Sequence, residues 1–322
     1  MDVCVVVPVR NDAVNLKRLL ESLHRQCLAF DLVVVDNGST DATPDVAKSL
    51  CDKVLYYPAL RVGALRNRGV LSAEGEYIAF VDSDHEVPED WIESGTRALE
   101  LSPEVVAVGA PCLPPTDGTW VQSVWSIHRL RGPNREEVAW LGAGNLFVRR
   151  SAFLEVGGFS EDLIASEDVD LCYRLKERGG KIFLDKTIRN IHHGEPKTVL
   201  QFLRKEYWRG SSSLKAWFSQ GCPSRDIPNL LWPIWFGGLG GVYVVCLVVV
   251  AVLSLSGTSP DNSMPALSPI CLVIYPPVWW LPAILLAVKV CWGERKMHAV
   301  LQLAILYALF GIARFAAMVR SK

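Results

Sequence analysis

Neither sign of charge is in excess in this chain: 33 Lys and Arg stand against 34 Asp and Glu, a formal charge of −1. Without a basic surplus there is no electrostatic footprint for nucleic acid, and no nucleic-acid partner is expected. Paired cysteine spacing is missing too. The nine cysteines are scattered with no CxxC pair, which argues against structural zinc or a disulfide framework and fits free thiols in a reducing compartment. Internal repeats and low-complexity tracts are absent. The opening MDVCVVVP is too short an apolar run, and lacks the basic start, for a signal peptide.

Long apolar runs are what the chain does have, and they lie at one end. No charged residue occurs from Ile227 to Pro260, and residues 230–255 are long enough to cross a bilayer, which takes about 20 apolar residues. A second candidate span covers 267–292, where Pro276, Pro277 and Pro282 suggest a kinked or broken helix. A third, 298–319, contains Arg314 and either spans or lies in the interface. Lys and Arg cluster before the first span (Arg204, Lys205, Arg209, Lys215, Arg225) and at and beyond the end of the second (Lys289, Arg295, Lys296). The loop at 256–266 has none. Excess positive charge marks the cytoplasmic side. The expectation is a multi-pass protein of the plasma or inner membrane with a cytoplasmic soluble domain. Segment 202–228, basic and aromatic with Trp208 and Trp217, reads as an amphipathic interfacial helix.

The first 110 residues alternate buried-strand and helix patterns. VCVVVPV (3–9), DLVVVD (31–36), KVLYY (53–57) and YIAFV (77–81) are strands, separated by helices near 15–26, 43–50 and 62–73. A further helix follows at 89–101. Continuously apolar strands between helices predict a mostly parallel sheet covered on both faces, a Rossmann-like α/β architecture. Residues 111–140 look less regular. Order resumes with a short strand and helix over 140–159, then a helix opening at Ser166-Glu167-Asp168 and a strand at 181–185.

In such sheets ligands bind beyond the carboxyl ends of the strands. Arg10-Asn11, Asp36-Asn37-Gly38-Ser39 and Asp82-Ser83-Asp84 each fall there. Alternate residues of an extended segment point the same way, so Asp82 and Asp84 can face one pocket. Two unpaired carboxylates repel, and a divalent cation such as Mn2+ or Mg2+, sharing them with substrate phosphates, removes the conflict. A bare DxD is also a common polar turn ahead of a helix. Asp36 can offer a carboxylate to base N–H groups, and Arg61, Arg66 and Asn67 can meet an anionic diphosphate; a solvated basic face is the plainer alternative. Glu167 and Asp168 could simply complement a helix dipole, or a carboxylate there could deprotonate an acceptor hydroxyl. In IHHGEP (191–196), His192 or His193 could complete a metal shell. His85 and Glu86 are set aside as ligands.

Taken together, VVVPVRN, VVVDNGSTD, ALRNRGV, YIAFVDSD, GAGNLFVRRSAFLEVGGFSEDL, SEDVDLCYRLKERGGKIFLD and IHHGEP resemble, in order and spacing, glycosyltransferase family 2, inverting enzymes with the GT-A nucleotide-diphospho-sugar transferase fold. The resemblance covers roughly residues 1–215. It implies a cytoplasmic GT-A domain over 1–215 followed by a membrane domain over 230–319, with C-terminal transmembrane helices. It also implies site roles: Pro8 and Arg10 line the nucleotide pocket with Asp36 on the base, and Asp82 and Ser83 meet the nucleotide sugar. Asp82, Asp84 and His192 or His193 hold the metal. Asp168 is the general base, with Glu167 close by. Relatives commonly carry aromatic-Asn-Glu where this chain has Arg10-Asn11-Asp12, which weakens the carry-over to Arg10. The implied reaction is sugar transfer from a nucleotide-diphosphate sugar to a lipid-linked or glycan acceptor at the membrane. Processive members carry Gln-x-x-Arg-Trp, whereas this chain has only Lys205-Glu-Tyr-Trp-Arg209, favouring single-sugar addition. The rival readings are a polyprenyl-phosphate sugar synthase and a non-catalytic nucleotide-sugar-binding scaffold.

Overall fold

A computed structural model describes residues 2–210, 227–255 and 269–320. The chain divides into two compact units, Met1–Asp117 with Gly132–Glu195, and Gly118–Arg131 with Pro196–Lys322.

The first unit is built on an eight-stranded sheet. Its strands are β1 (Val3–Val9), β2 (Asp31–Asp36), β3 (Lys53–Tyr56), β4 (Tyr77–Val81), β6 (Val105–Gly109), β7 (Arg135–Glu137), β8 (Asn145–Arg149) and β9 (Lys181–Asp185). They lie in the order β3-β2-β1-β4-β8-β6-β9-β7. Pairings β1–β2, β1–β4, β2–β3 and β6–β9 are parallel, while β8 runs against both its neighbours and β7 against β9. Two reversed strands in eight make the sheet mostly parallel. A separate two-stranded ribbon pairs β5 (His85–Glu86) with β10 (Ile191–His192).

The period of two along each strand explains the unbroken apolar runs. Val3, Val5, Val7 and Val9 of β1 and Tyr77, Ala79 and Val81 of β4 enter one core, beneath Leu16, Leu19, Leu20 and Trp91. The intervening Cys4, Val6, Ile78 and Phe80 enter the other, with Phe153, Phe159 and Leu171. A strand buried on both faces cannot alternate apolar with polar. Helices α1 (Ala13–Leu23), α2 (Thr43–Leu50), α3 (Val62–Leu71) and α4 (Trp91–Glu100) take the expected positions. Gly69 lets α3 approach closely, since a Cβ there would lie 2.3 Å from Val6.

Residues 120–130 depart from the irregular reading. Trp120–Leu130 is a helix, α5, opened by a Thr119–Gln122 capping box, and it belongs to the second unit. Its apolar face packs with the C-terminal helices: Trp125 stacks edge-on against Phe202 and Tyr307. The sequence pattern is that of a partnered helix whose partners, Phe202 and Tyr307, lie far along the chain, so local signals alone leave it looking like loop.

The second unit also contains Val199–Gly210, Ile227–Pro233 continuing through a π-helical stretch Ile234–Leu239 into Gly240–Leu255, then Pro269–Gly293 and Val300–Arg320. Segments Leu230–Val249 and Met297–Arg320 are long and apolar enough to cross a membrane; in the second candidate region the described apolar helix that meets the composition test is the shorter Pro277–Gly293. Helix continues through Pro276, Pro277 and Pro282, so this region is not broken. Of the expected interfacial segment 202–228, residues 202–210 lie in the helix Val199–Gly210 and 227–228 open the next helix; Trp217 and the 256–266 loop lie outside the described residues. Arg314, the charge that weakens the last span, is paired: its Nε and Nη2 donate to Glu206 at 3.0 and 2.8 Å, and Glu206 is 2% exposed.

Candidate active site

Strand β4 ends at Val81, and the three residues after it turn out of the sheet at the carboxyl edge shared with β1 and β2. The two loops at β1 and β2 are tied together. Asn11, in the left-handed region at φ 51°, accepts from the Thr40 amide at 2.8 Å, and its own amide donates to Ser39 Oγ at 2.9 Å. Asp36 is buried at the end of β2, where Ser39 donates to it through both its amide and its hydroxyl. Pro8 is buried in β1 and Arg10 is exposed just past it. Ser83 Oγ donates to Asp12 at 2.8 Å, which fixes the middle of the Asp82-Ser83-Asp84 turn to the first loop.

The two aspartates of that turn do different things. Asp82 Oδ1 accepts from Arg66 Nη2 at 2.7 Å, and Arg66 Nη1 donates to Glu167 at 2.8 Å. Arg66 is 3% exposed and lies over the Phe159 ring, so one buried guanidinium joins α3, the turn after β4 and the start of α7 (Glu167–Glu177). Asp84 instead faces two imidazoles: Oδ2 is 3.0 Å from His192 Nε2 and Oδ1 is 3.1 Å from His85 Nδ1. Burial opposes its charge, but hydrogen bonds from His192 and His85 outweigh it and hold the Asp84 carboxyl well below the usual range.

One ligand atom each from Asp84, His85 and His192 lie within 4.8 Å of one another, the one grouping of metal-donor type among the described residues. The β5–β10 ribbon creates it, since its register sets His192 opposite His85 and their rings stack at 4.3 Å. His85 therefore enters a group from which its sequence position next to Asp84 had set it aside: a two-residue strand turns it inward to 2% exposure, with Nε2 3.3 Å from Cys112 Sγ. His193 points elsewhere, its Nε2 3.0 Å from Glu86. Asp82 lies outside the group, bound to Arg66. Glu195, which sequence reasoning passed over, accepts from His192 Nδ1 at 3.1 Å; the spacing His-x-x-Glu ahead of Pro196 was the available signal.

Asp168 sits at the start of α7 without an ion pair among the described residues. Its carboxylate takes the backbone amides of Val169 at 2.8 Å and Ala143 at 3.4 Å. Burial first, and then the charge of Glu167, push its pKa up to about 6 against the opposing pull of Arg66. Ser166 does not cap this helix by its side chain. It takes φ 66°, an uncommon conformation for a residue with a Cβ, and so turns the chain abruptly into the Glu167-Asp168 pair. The loop between β7 and β8 runs beneath both parts of the site: a Cβ at Gly142 would lie 3.7 Å from Asp168, and one at Gly144 3.0 Å from Asp82. Arg61 donates to the Asp162 carbonyl, and Asn67 pairs with both backbone groups of Phe159. Those two hold the loop before α7 in place.

This sheet, with its acidic turn at the carboxyl edge, is a GT-A-type α/β fold. Residues 4–154 match the model for "Glycosyl transferase family 2", and the domain is that of a family 2 glycosyltransferase. The pre-mycofactocin glycosyltransferase of Mycobacterium tuberculosis is 31% identical over 225 residues, covering 66% of this chain and 47% of that protein. The chain thus spans about half the length of that relative. The succinoglycan biosynthesis protein ExoA of Rhizobium meliloti is 26% identical over 254 residues, 73% of this chain and 77% of its own. Among solved structures, the mannosyltransferase PcManGT from Pyrobaculum calidifontis, in complex with GDP-Man and Mn2+, aligns with a TM-score of 0.59. That alignment covers 99% of this chain and 86% of that one at 16% identity, a likeness of fold.

Proposed function

We propose that this chain transfers a sugar from a nucleotide-diphosphate donor, with inversion and with a divalent metal, to a lipid-linked or envelope-glycan acceptor at a membrane. The observation that carries the reading is Asp168: a half-buried carboxylate without an ion pair among the described residues, its pKa pushed up to about 6, beside a turn whose acids are held by arginine or imidazole. A general base works best with a pKa close to the working pH, and Asp168 meets that condition where an exposed aspartate would not. It takes the proton of the acceptor hydroxyl as that oxygen attacks the anomeric carbon from the face opposite the diphosphate. Arg66 holds Glu167 beside it through a 2.8 Å hydrogen bond.

The donor set of one carboxylate and two imidazoles fits a divalent metal, and the two nitrogens suit Mn2+ better than the all-oxygen preference of Mg2+. Asp84, His192 and His85 would hold the ion; when bound it neutralises charge on the departing diphosphate. Asp82 and Ser83, fixed by Arg66 and Asp12, form the nucleotide side of the turn. Asp36 takes the base edge and Pro8 and Arg10 border it. The Pyrobaculum mannosyltransferase structure, bound to GDP-Man and Mn2+, and the relative named as a succinoglycan biosynthesis protein support the nucleotide-sugar and metal parts of this reading. Residues 1–215 form the catalytic domain in this reading, 202–228 an interfacial segment and 230–319 the membrane part. The distribution of Lys and Arg sets the catalytic domain on the cytoplasmic side.

Thermal stabilisation of the full chain in detergent by a panel of UDP- and GDP-sugars, with and without Mn2+, tests the reading. One donor class should raise the melting midpoint in a manganese-dependent way, and Asp84→Ala should remove the manganese dependence. Stabilisation by no nucleotide sugar, with no transfer to lipid extracts, would contradict it.

A further inference from the structure

His192 stands between two carboxylates, and only one of them belongs to the donor group. Its Nε2 faces Asp84 at 3.0 Å, while its Nδ1 faces Glu195 Oε1 at 3.1 Å. An imidazole can give a lone pair to a cation only through a nitrogen that carries no proton, so a ligand histidine needs its proton fixed on the other nitrogen. Glu195 is placed to do that. It is 5% exposed and three residues beyond His192, so the carboxylate cannot drift into solvent, and a carboxylate accepts hydrogen bonds but, ionised, donates none. The backbone between them is equally fixed. The His193 amide donates to the Asp84 carbonyl at 2.8 Å, and Gly194 passes so close that a Cβ there would lie 1.8 Å from Asp84 Oδ2. The whole His192–Glu195 turn is wrapped around one carboxylate.

We infer that Glu195 is the positioning residue of the metal seat: by accepting the Nδ1 proton it sets the His192 ring plane so that Nε2, which donates to Asp84 in the metal-free chain, is the nitrogen left to give its lone pair to an ion held with Asp84. The inference rests on the proposed metal-dependent reading, and it assigns a role to a residue outside the group of Asp84, His85 and His192. Carboxylates behind a ligand histidine raise its basicity, and their loss typically costs 10–100-fold in metal affinity. Gly194 serves the same geometry, since any side chain there would displace Asp84.

The test is Mn2+ affinity of the full chain in detergent, followed by the electron paramagnetic resonance signal of free Mn2+, for wild type, Glu195→Ala and Glu195→Gln. Metal-free melting midpoints are taken alongside. Glu195→Ala should weaken Mn2+ binding about 10–100-fold. Glu195→Gln, whose amide carbonyl still accepts from Nδ1, should recover a large part of that loss. A purely structural role would lower the melting midpoint of both variants and leave Mn2+ affinity within twofold of wild type, which would overturn the inference. If the wild type itself binds no Mn2+, the metal-dependent reading beneath it fails instead.

Discussion

Each unit pairs an arginine with a buried acidic side chain, and the two arrangements differ in what is left over. In the second unit, Glu206 accepts from Arg314 at 2.8 Å and from Arg209 at 2.8 Å, so the one buried acid has two cations. In the first, Arg66 serves Asp82 and Glu167 at 2.7 and 2.8 Å, and Asp168 follows directly with no ion pair among the described residues. An excess of cations in the second place makes a joint between helices. An excess of acids in the first leaves a carboxyl whose proton is exchangeable near neutral pH, and that is what acid–base chemistry requires. A buried ion pair is weak evidence of stability or function by itself; the unpaired neighbour is the informative group.

The contrast can be broken most severely at Asp168. Asp168→Asn keeps the shape and one of the two backbone hydrogen bonds but removes the base, and turnover should fall by about 10²–10⁴-fold. Donor affinity should stay near wild type, since the nucleotide side of the turn is untouched; isothermal titration with the nucleotide sugar checks it. Next in size are the arginines. Arg66→Met strands Asp82 and Glu167 and should cost about 3–5 kcal/mol of stability along with activity. Arg314→Met leaves Glu206 with Arg209 and should cost less, roughly 1–3 kcal/mol, with donor affinity retained; denaturation midpoints and donor titrations on both variants give the comparison.

The smallest effect is a gain. Because the Asp168 pKa is raised in the folded chain, ionising it is harder folded than unfolded. That penalty is absent below the unfolded pKa near 4, grows as pH rises to about 6, and is fully present above it. Asp168→Asn should therefore raise the melting midpoint at pH 7.5, by a stability on the order of 1–3 kcal/mol, and leave it unchanged at pH 4. Equal shifts at both pH values would show that packing, not ionisation, is responsible.

How much of this was legible in the sequence follows from the range of the interactions. The β1, β2 and β4 strands were readable because burial on both faces makes each a continuous apolar word, and the sheet rule then locates Asp36 and the Asp82–Asp84 turn without coordinates. Helix α5 was not, because its apolar face is matched by Phe202 and Tyr307 far along the chain. At the site, the sequence shows that Asp82 and Asp84 alternate but not that Arg66, sixteen residues earlier, captures one of them. The choice between His192 and His193 depends on the β5–β10 register, which opposes His192 to His85 and sends His193 toward Glu86. A two-residue strand leaves no periodicity to read. Glu195 needed the fold as well, since its significance lies in the nitrogen it faces.

The central claim is that Asp168 titrates near neutrality and must be ionised for transfer, and the pH dependence of kcat/KM at saturating Mn2+ tests it most directly. The account predicts a single acidic limb with a midpoint at about 6, activity falling tenfold per pH unit below it. A rate unchanged down to pH 4.5, or an acidic limb that persists with the same midpoint in the residual activity of Asp168→Asn, would contradict it.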